Sequence, residues 1–476
     1  MDLPSHPILR AVAWLSAVVL IAGCNSSDSR ARAALGEYQA ASAANDLPGA
    51  RRALLELVRA KDDVSDYWVE LGKVQAAMGS YDDAYYAFTR AHELDRSDPT
   101  IVRTLTELAL RSGDLTQAEA KAEELEILSP GDPWVKLVKG WSAYSQLHFD
   151  EALTISDSML ATAPNDVPAT ILKARALLSL QRQDDAIELL NKHIQEQPTD
   201  TASMGLLAKI YERSDDWGKV AEFTQRVRSV APTDQDNTLR LIKAAFKSGN
   251  VELGRKTSLE LLQPRADPPT VNAVLDTWAE NWNSAQRIAD ARQLAGATKG
   301  LQQQLTYAEF LSQYGSPQDA IRIAQTSAAL PISAESAEAN AVLADALWRI
   351  GKASEAKSRF DAVLAFDPGN ATALRGRTEL LLRTGNAPAG VLDAQKLVTV
   401  LPNDADARLL LARAFLAAGN KPWMERTLWT AFQDIPANGH ILAALESMKK
   451  GGNDDIADLQ SEFARQRDGK LNRGLM

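Results

Sequence analysis

Apolar and polar positions follow each other along this chain with the period of short amphipathic helices. In residues 68–99, Trp68 and Leu71 share one side of a first predicted helix, and Ala84 and Phe88 share one side of a second. Residues three or four positions apart lie on the same face of an α-helix. The pattern therefore predicts two short helices, each with one apolar face that has to be covered.

The residues between and around these helices predict where each one ends. Gly79 can adopt the left-handed conformation that closes a first helix. Asp82 and Asp83 stand where a second helix begins, and we expect them to cap it. A proline such as Pro99 stops the second helix before the next pair. The stretch thus predicts a helix, a tight turn and a second helix.

Small and rigid residues recur along the chain at intervals of 34 residues. One series in the second helices is Ala50, Ala84, Ala118, Ala152 and Ala186. A proline series is Pro130, Pro164, Pro198 and Pro232, and a glycine series includes Gly79, Gly113 and Gly249. A helix pair cannot bury its apolar side alone, so a repeated pair predicts stacking of neighbours around a continuous core.

The stretch from 68 to 99 resembles the tetratricopeptide repeat, and six positions carry the resemblance: Trp68, Leu71, Gly72, Ala84, Phe88 and Ala91. The resemblance implies an all-α fold, a right-handed superhelical solenoid of about twelve helix–turn–helix repeats. We place the repeats at 31–64, 65–98, 99–132, 133–166, 167–200, 201–234, 235–268, 269–300, 301–336, 337–370, 371–404 and 405–438.

The repeat at 269–300 departs most from the pattern. It has no alanine or glycine at the key positions, and two tryptophans crowd its first helix. We expect a shift of register there that bends the solenoid or separates an N-terminal block, 31–268, from a C-terminal block, 301–438. Residues 439–476 are predicted to form capping helices and a tail.

The N-terminus carries an apolar run that is too short to span a bilayer comfortably. The run ends in Ile21, Ala22, Gly23 and Cys24, which resembles the lipobox of bacterial lipoproteins. That resemblance implies removal of the signal peptide 1–23, acylation of Cys24 and a short polar tether. The alternative is an ordinary signal peptide or membrane anchor in which Cys24 falls at the boundary by chance.

The implied lipid chains would hold the protein to a membrane essentially permanently, through the tether 24–30. Asn25 follows the cysteine, and the absence of aspartate there favours the outer membrane, facing the periplasm of a Gram-negative bacterium. Because Cys24 is the only cysteine, no thiol remains for a disulfide, a metal cluster or nucleophilic catalysis.

Charge and motifs argue against two classes of function. The formal net charge of −10 makes a general affinity for nucleic acid unexpected. The five histidines show no metal-ligand spacing, and no phosphate-binding loop, nucleophile elbow or zinc-protease helix occurs. Carboxylate pairs such as Asp184 and Asp185 recur at the start of second helices, where they suit the helix dipole. We expect no enzyme, cofactor or metal.

In tetratricopeptide repeats, four positions of each first helix point into a concave surface. Carried over by resemblance, these positions hold twelve basic and six acidic residues, the reverse of the overall composition. With the neighbouring aromatic residues they give the candidate partner-binding residues Arg103, Arg111, Trp134, Trp141, Tyr144, Arg175, Lys209, Arg213, Lys243, Phe246, Lys247, Trp348, Arg349, Arg375, Arg383 and Arg413.

Basic groups interleaved with aromatic rings suit an acidic peptide or an anionic polysaccharide. The alternative is a solvated face on which arginines pair with nearby acids and the aromatic rings pack between repeats. The leading hypothesis is a membrane-anchored periplasmic scaffold that binds the protein partners of an export or assembly complex, and we favour exopolysaccharide secretion. Pilus assembly, peptidoglycan enzymes and direct binding of an anionic glycan stay open as alternatives.

Overall fold

The computed structural model describes residues 27–263, 266–435, 438–448 and 460. Within these ranges the regular elements are all α-helices. The first helices of the pairs are α1 (27–43), α3 (Ser65–Ala77), α5 (Pro99–Ser112), α7 (Pro133–Ser145), α9 (Val167–Ser179), α11 (Thr201–Arg213), α13 (Gln235–Lys247), α15 (Pro268–Asn281), α17 (Leu301–Tyr314), α19 (Ala337–Arg349), α21 (Ala371–Arg383), α23 (Ala405–Ala417) and α25 (Gly439–Met448).

Each first helix up to α23 is followed by a second helix. These are α2 (Leu47–Ala60), α4 (Tyr81–Leu94), α6 (Leu115–Leu128), α8 (Phe149–Thr162), α10 (Gln183–Glu196), α12 (Trp217–Val230), α14 (Val251–Leu261), α16 (Ala285–Ala297), α18 (Pro317–Ala324), α20 (Ala353–Phe366), α22 (Ala387–Val400) and α24 (Lys421–Asp434). The predicted all-α solenoid of helix pairs is confirmed. None of the helices in the described ranges is both long and apolar enough to cross a bilayer.

The turn inside each pair keeps one backbone geometry even where glycine is missing. Gly79 and Gly113 adopt φ of 78° and 77°. Leu147 and Gln181 occupy the same place in later repeats with φ of 66° and 60°, and Asp215 follows with 54°. Side chains with a Cβ are strained in this left-handed region. The fold therefore imposes the turn on sequences that do not favour it.

Close packing within a pair depends on a small residue on the first helix. A Cβ atom added to Gly72 would lie 2.6 Å from the Phe88 ring. This explains why glycine stands in α3 opposite a phenylalanine on α4. The expected capping of α4 by Asp82 and Asp83 is wrong in detail: Ser80 is the N-cap residue, and both aspartates lie in the first turn.

The described part of the predicted tether 24–30 is helical. Ser27 donates a hydrogen bond of 2.5 Å from its hydroxyl to the carbonyl of Ala60, and Asp28 forms an ion pair of 2.6 Å with Lys61. These contacts join the start of α1 to the end of α2. The signal peptide 1–23 and Cys24 lie outside the described residues, as does the tail after α25 apart from residue 460.

The chain separates into two compact units between Ser203 and Met204, inside α11. Helices α1 to α10 belong to the first unit and α12 to α25 to the second. The divergent repeat 269–300 lies inside the second unit, whose main core runs from Ile242 on α13 to Leu410 on α23. The boundary between units therefore falls elsewhere than at the divergent repeat.

Tryptophan side chains fill the divergent repeat where small residues are missing. Trp278 is fully buried, donates a hydrogen bond of 2.9 Å to the Ser258 hydroxyl, and meets Trp282 edge to face at 5.1 Å. Arg287 on α16 donates to the carbonyls of Trp278 and Trp282, at 3.2 and 2.9 Å. The guanidinium of Arg287 also lies 5.2 Å from the centre of the Tyr314 ring. One arginine thus closes the end of α15 and keeps the core continuous.

Candidate partner-binding site

Successive first helices lie side by side within each unit. In the first unit α5 contacts α7 and α7 contacts α9; in the second unit the contacts run from α13 through α15, α17, α19, α21 and α23 to α25. The second helices lie on the other side of this layer. We call the side of the layer that bears the candidate residues the first-helix face.

In the first unit, the arginines of α5 are held by acids of the protein. Arg103 donates to Asp132 with an Nε–Oδ2 distance of 2.8 Å, and the Asp132 side chain also accepts from the backbone of Trp134 at the start of α7. Arg111 donates to Glu107 at 3.0 Å and lies 5.9 Å from the centre of the Tyr81 ring. The Arg103 pair links α5 to the start of α7, and the Arg111 pair lies within α5; both are the pairing of arginines with nearby acids that the alternative interpretation of the face expects.

Trp141, Tyr144 and Arg175 pack into the interior between α7 and α9. Trp141 is 8% exposed and Arg175 is 3% exposed, with the guanidinium 5.1 Å from the centre of the Trp141 ring. Tyr144 meets Trp141 edge to face at 5.6 Å, and its hydroxyl lies 3.1 Å from that of Ser179. The structure places these three residues in packing between repeats rather than on an open surface.

In the second unit, two lysines of α13 face a tryptophan of α12. The Nζ atoms of Lys243 and Lys247 lie 5.6 and 4.3 Å from the centre of the Trp217 ring. Lys243 is also 3.9 Å from a carboxylate oxygen of Glu212, and Lys247 is exposed. The result is an aromatic ring that faces two cations, one of them open to a partner.

Three other predicted residues near these lysines are less accessible. Phe246 is 5% exposed and stacks on Trp282 at 5.3 Å, so it belongs to the core. Lys209 and Arg213 on α11 are half-buried, and each interacts with another group of the protein.

Ion pairs link the middle of the face between α17 and α23. Arg349 donates to Asp345 at 2.8 Å and lies 3.5 Å from Glu379 on α21. The hydroxyl of Ser312 on α17 donates to the same Asp345 carboxylate. These acids hold the pKa of Arg349 above its usual value although its partial burial acts against the charge.

Arg375 forms the second link of this middle region. It pairs with Asp404 at 3.0 Å and lies 3.7 Å from Glu309 on α17. Glu309 keeps 25% of its side-chain surface accessible, but it is surrounded by the first helices. Burial, opposed only by Arg375, raises its pKa to about 7. The cations in the middle of the face are therefore already balanced by the protein's own acids.

The four predicted residues Trp348, Arg349, Arg383 and Arg413 line an open cavity together with Glu379. We call Trp348, Arg383 and Arg413 the basic pocket; the cavity has a volume of about 640 Å³. The Arg383 guanidinium lies 5.3 Å from the centre of the Trp348 ring. Within the described residues, the indole N–H of Trp348 has no acceptor, and Arg383 and Arg413 form no ion pair. The Trp348 nitrogen is itself buried, so the pocket offers the two exposed guanidinium groups of Arg383 and Arg413 to a carboxylate.

A second cavity, of about 670 Å³, adjoins the first and shares Arg413 and Leu416 with it. Its walls include the charged side chains Arg375, Glu379 and Lys421. They also include apolar side chains of α23, α24 and α25: Leu409, Leu410, Met424, Leu428, Ala444 and Met448. Asp406 and His440 line the same cavity. We call the two cavities together the groove.

Acids gather where α15 faces α23 and α25. Glu280 lies 4.0 Å from His440, and Asp276 precedes Glu280 by one helical turn. Although Asp276 is exposed, desolvation by the surrounding helices, together with the charges of Glu280 and Asp406, raises its pKa to about 6. We call Asp276, Glu280 and Asp406 the acidic cluster. In the described part of the chain, no three metal-binding side chains are arranged to hold an ion.

Two members of this cluster, Asp276 and Asp406, are not among the residues predicted from the sequence. The four positions carried over from the family include Glu280 but neither Asp276 nor Asp406. A helical projection of α15 alone could have found Asp276, because residues four apart share a face. Counting only the four positions overstated the basic excess of the face.

Two family models match the sequence. The model described as "Tetratricopeptide repeat" matches residues 35–100 and 341–398, and "Psidin, N-terminal TPR repeats region" matches 137–272. The chain therefore carries tetratricopeptide repeats, which form scaffolds for protein–protein interaction and are in general not enzymes. A search of curated proteins finds no match.

Several solved structures are similar to parts or most of the chain. "MamA 41-end from Desulfovibrio magneticus RS-1" is 14% identical over 36% of this chain and 97% of that one, with a TM-score of 0.31. PilW, titled a widely conserved type IV pilus biogenesis factor, is 17% identical over 41% of this chain and 91% of that one, with a TM-score of 0.32. The P58(IPK) TPR domain is 15% identical over 82% of this chain and 98% of that one, with a TM-score of 0.26. Similarity at this level assigns no function.

Proposed function

We propose that this chain is a lipid-anchored scaffold of the bacterial cell envelope, and that its first-helix face holds protein components of an export or assembly machine together. Two features support the proposal. The chain carries tetratricopeptide repeats, and Ile21 to Cys24 resemble a lipobox. The acylated protein would face the periplasm from the outer membrane.

The observation that carries the binding role is the basic pocket. Arg383 and Arg413 are exposed, and neither forms an ion pair within the described residues. Donors without acceptors bind a carboxylate without first breaking internal pairs, so the pocket suits an acidic side chain of a partner protein. The paired Arg349 and Arg375 lack this advantage.

A photo-crosslinking amino acid in intact cells tests this role. It is placed at Leu416, which is 56% exposed and lines both cavities, and in a matched control at Leu392, which is 62% exposed on α22. We expect a defined protein adduct from position 416 that is lost when Arg383→Glu and Arg413→Glu are added. Equal adducts at both positions, or adducts insensitive to these changes, would argue against binding at this face.

Among envelope machines, we favour exopolysaccharide secretion over pilus assembly and peptidoglycan enzymes. The preference rests on the combination of cations and aromatic rings at Trp217 and at Trp348. Mass spectrometry of the adduct from position 416 distinguishes the three systems, because their components differ in identity. An adduct with a pilus component or a peptidoglycan enzyme would replace our first choice.

Direct binding of an anionic polysaccharide is a second candidate, supported by Lys243 and Lys247 around Trp217. Sugar rings stack on aromatic faces, and lysines attract carboxylates. Affinity electrophoresis in a gel containing alginate, a polyuronate, tests it with Lys243→Glu and Lys247→Glu. The control is Lys396→Glu, at an exposed site on α22. If the gel retards the double variant as strongly as it retards this control, the site around Trp217 is excluded.

The anchor is tested separately by Cys24→Ser. We expect the variant to leave the membrane fraction after cell breakage. If it stays bound and keeps an uncut N-terminus, the apolar run acts as a membrane anchor and the lipoprotein interpretation is wrong.

A further inference from the structure

The groove of the second unit has opposite charges at its two ends. Its middle is neutralised, because Arg349 is paired with Asp345 and Glu379, and Arg375 is paired with Asp404. A partner that approaches the middle therefore meets no uncompensated charge. Lys421, which also lines the second cavity, lies 3.9 Å from Glu425, so within the described residues the basic pocket and the acidic cluster carry the charges that remain to select a partner.

The basic end favours a carboxylate. The Arg383 guanidinium lies 5.3 Å from the centre of the Trp348 ring, and Arg383 lines the cavity. Arg413 lines the same cavity. A carboxylate here can accept from the guanidinium groups of Arg383 and Arg413.

The acidic end favours a cation. The groups that interact electrostatically with Asp276 are Glu280 on its own helix, Asp404 and Asp406 at the start of α23, Glu309 and Tyr314 on α17, and Arg375 on α21. Arg375 is the one cation of this set and is already paired with Asp404. Within the described residues Asp276 and Asp406 form no ion pair, and the nearest cation to Glu280 is His440, at 4.0 Å.

The space between the ends has a defined length, and apolar side chains line part of it beside the paired Arg375 and Glu379. Asp406 and Arg413 both line the second cavity and are seven residues apart on α23. At 1.5 Å per residue this separation is about 10 Å along the helix axis. A peptide in the extended polyproline II conformation has three residues per turn and rises about 3.1 Å per residue, so side chains three residues apart lie on the same side, about 9 Å from each other. Leu409, Leu410 and Met424 line the wall between the two charges.

We propose that the groove binds an extended protein segment with an acidic side chain and, three residues away, a basic side chain, separated by apolar residues. The acidic side chain lies in the basic pocket and the basic side chain against the acidic cluster, so the segment has one direction of binding. This inference rests on the proposed protein-binding function and specifies the partner's chemistry. An anionic polysaccharide offers no cation and is repelled by the acidic cluster.

Selection from a random library of twelve-residue peptides displayed on phage, against the full-length protein, tests the inference. We expect enriched peptides to combine Asp or Glu with Lys or Arg three positions away. Selection on Asp276→Asn/Asp406→Asn should lose only the basic residue, and selection on Arg383→Gln/Arg413→Gln only the acidic one. Lys396→Gln and Glu252→Gln, at exposed sites outside the groove, should select the same peptides as the unaltered protein.

Synthetic peptides from the enriched set measure the effect by fluorescence anisotropy. We expect binding at least tenfold weaker for Asp276→Asn/Asp406→Asn, and for a peptide whose acidic and basic residues are exchanged. If the enriched peptides are only acidic, and bind the unaltered protein and Asp276→Asn/Asp406→Asn equally, the inference is overturned and the proposed function stands. Peptides that respond to no groove variant would overturn both.

Discussion

The guanidinium of Arg383 on α21 lies 5.3 Å from the centre of the Trp348 ring on α19. This contact joins neighbouring repeats, yet Arg383 stays exposed and forms no ion pair within the described residues. A guanidinium held in this way keeps its charge available while losing little conformational freedom when a partner binds.

Replacing Arg383 should therefore affect binding more than folding. Exposed cation–π contacts contribute about 0.5–1 kcal/mol, so Arg383→Gln should lower the free energy of unfolding by no more than about 1 kcal/mol. A carboxylate-containing peptide selected on the protein should bind about tenfold more weakly or worse, because one charge-assisted hydrogen bond is lost. Urea denaturation and fluorescence anisotropy measure the two effects. A large loss of stability with unchanged affinity would make Arg383 a packing residue.

Glycine in place of strained turn residues should stabilise the array. Left-handed backbone costs an L-residue about 1–2 kcal/mol, and the greater freedom of unfolded glycine offsets about half of the gain. Leu147→Gly and Gln181→Gly should each raise the free energy of unfolding by about 0.5–1 kcal/mol. Asp215→Gly should raise the free energy of unfolding by less, because aspartate tolerates the left-handed conformation better than leucine or glutamine. Denaturation midpoints measure the order, and a decrease for Leu147→Gly would contradict the strain argument.

Gly72→Ala should destabilise the first unit. The added methyl group would lie 2.6 Å from the Phe88 ring, and overpacking of this kind costs about 1–3 kcal/mol. The double variant Gly72→Ala/Phe88→Leu should be less destabilised than the sum of the two single changes. The matched control is Gly205→Ala on α11, where an added Cβ meets nothing within 4 Å. It should leave stability unchanged or raise it by about 0.5–1 kcal/mol. Additive losses in the double variant would show that the ring does not limit the approach of the helices.

The stability of the second unit should fall between mildly acidic and neutral pH through Asp276. Its pKa is raised to about 6, so the folded state binds a proton more tightly than the unfolded chain. This contribution is fully present below the ordinary pKa of 3.8 and is lost as the pH rises through about 6. The free energy of unfolding of Asp276→Asn should equal that of the unaltered protein at pH 4 and exceed it at pH 8. Parallel curves of unfolding free energy against pH would rule out this contribution, and Glu252→Gln serves as the control.

The repeat pattern was predictable because it is local. The burial and the partners of individual side chains were not predictable. Gly79, Ala84 and their equivalents fix the turn and the packing within each pair, and these need only short-range geometry. The burial of Arg175 beside Trp141 depends on how α9 approaches α7. A template that treats all repeats alike contains no such information.

The acidic cluster was missed for a related reason. Asp276 and Asp406 lie on helices separated by four repeats, and only the curvature of the array brings their charges close enough to interact. The pairing of Arg375 with Asp404 likewise joins helices of neighbouring repeats. The sequence predicts which residues occupy the face, but the distances that decide which charges stay available arise from the assembled repeats.

The hydrogen bonds from Arg287 to the last carbonyls of α15 have an evolutionary consequence. Repeats that share a generic pattern are interchangeable. When one is duplicated or lost, the repeats on either side still have equivalent surfaces and can pack against each other. The unit at 269–300 instead relies on one guanidinium and two indole rings that match only their own neighbours. Homologues should therefore vary in repeat number on either side of this unit, while the unit itself persists as a fixed landmark.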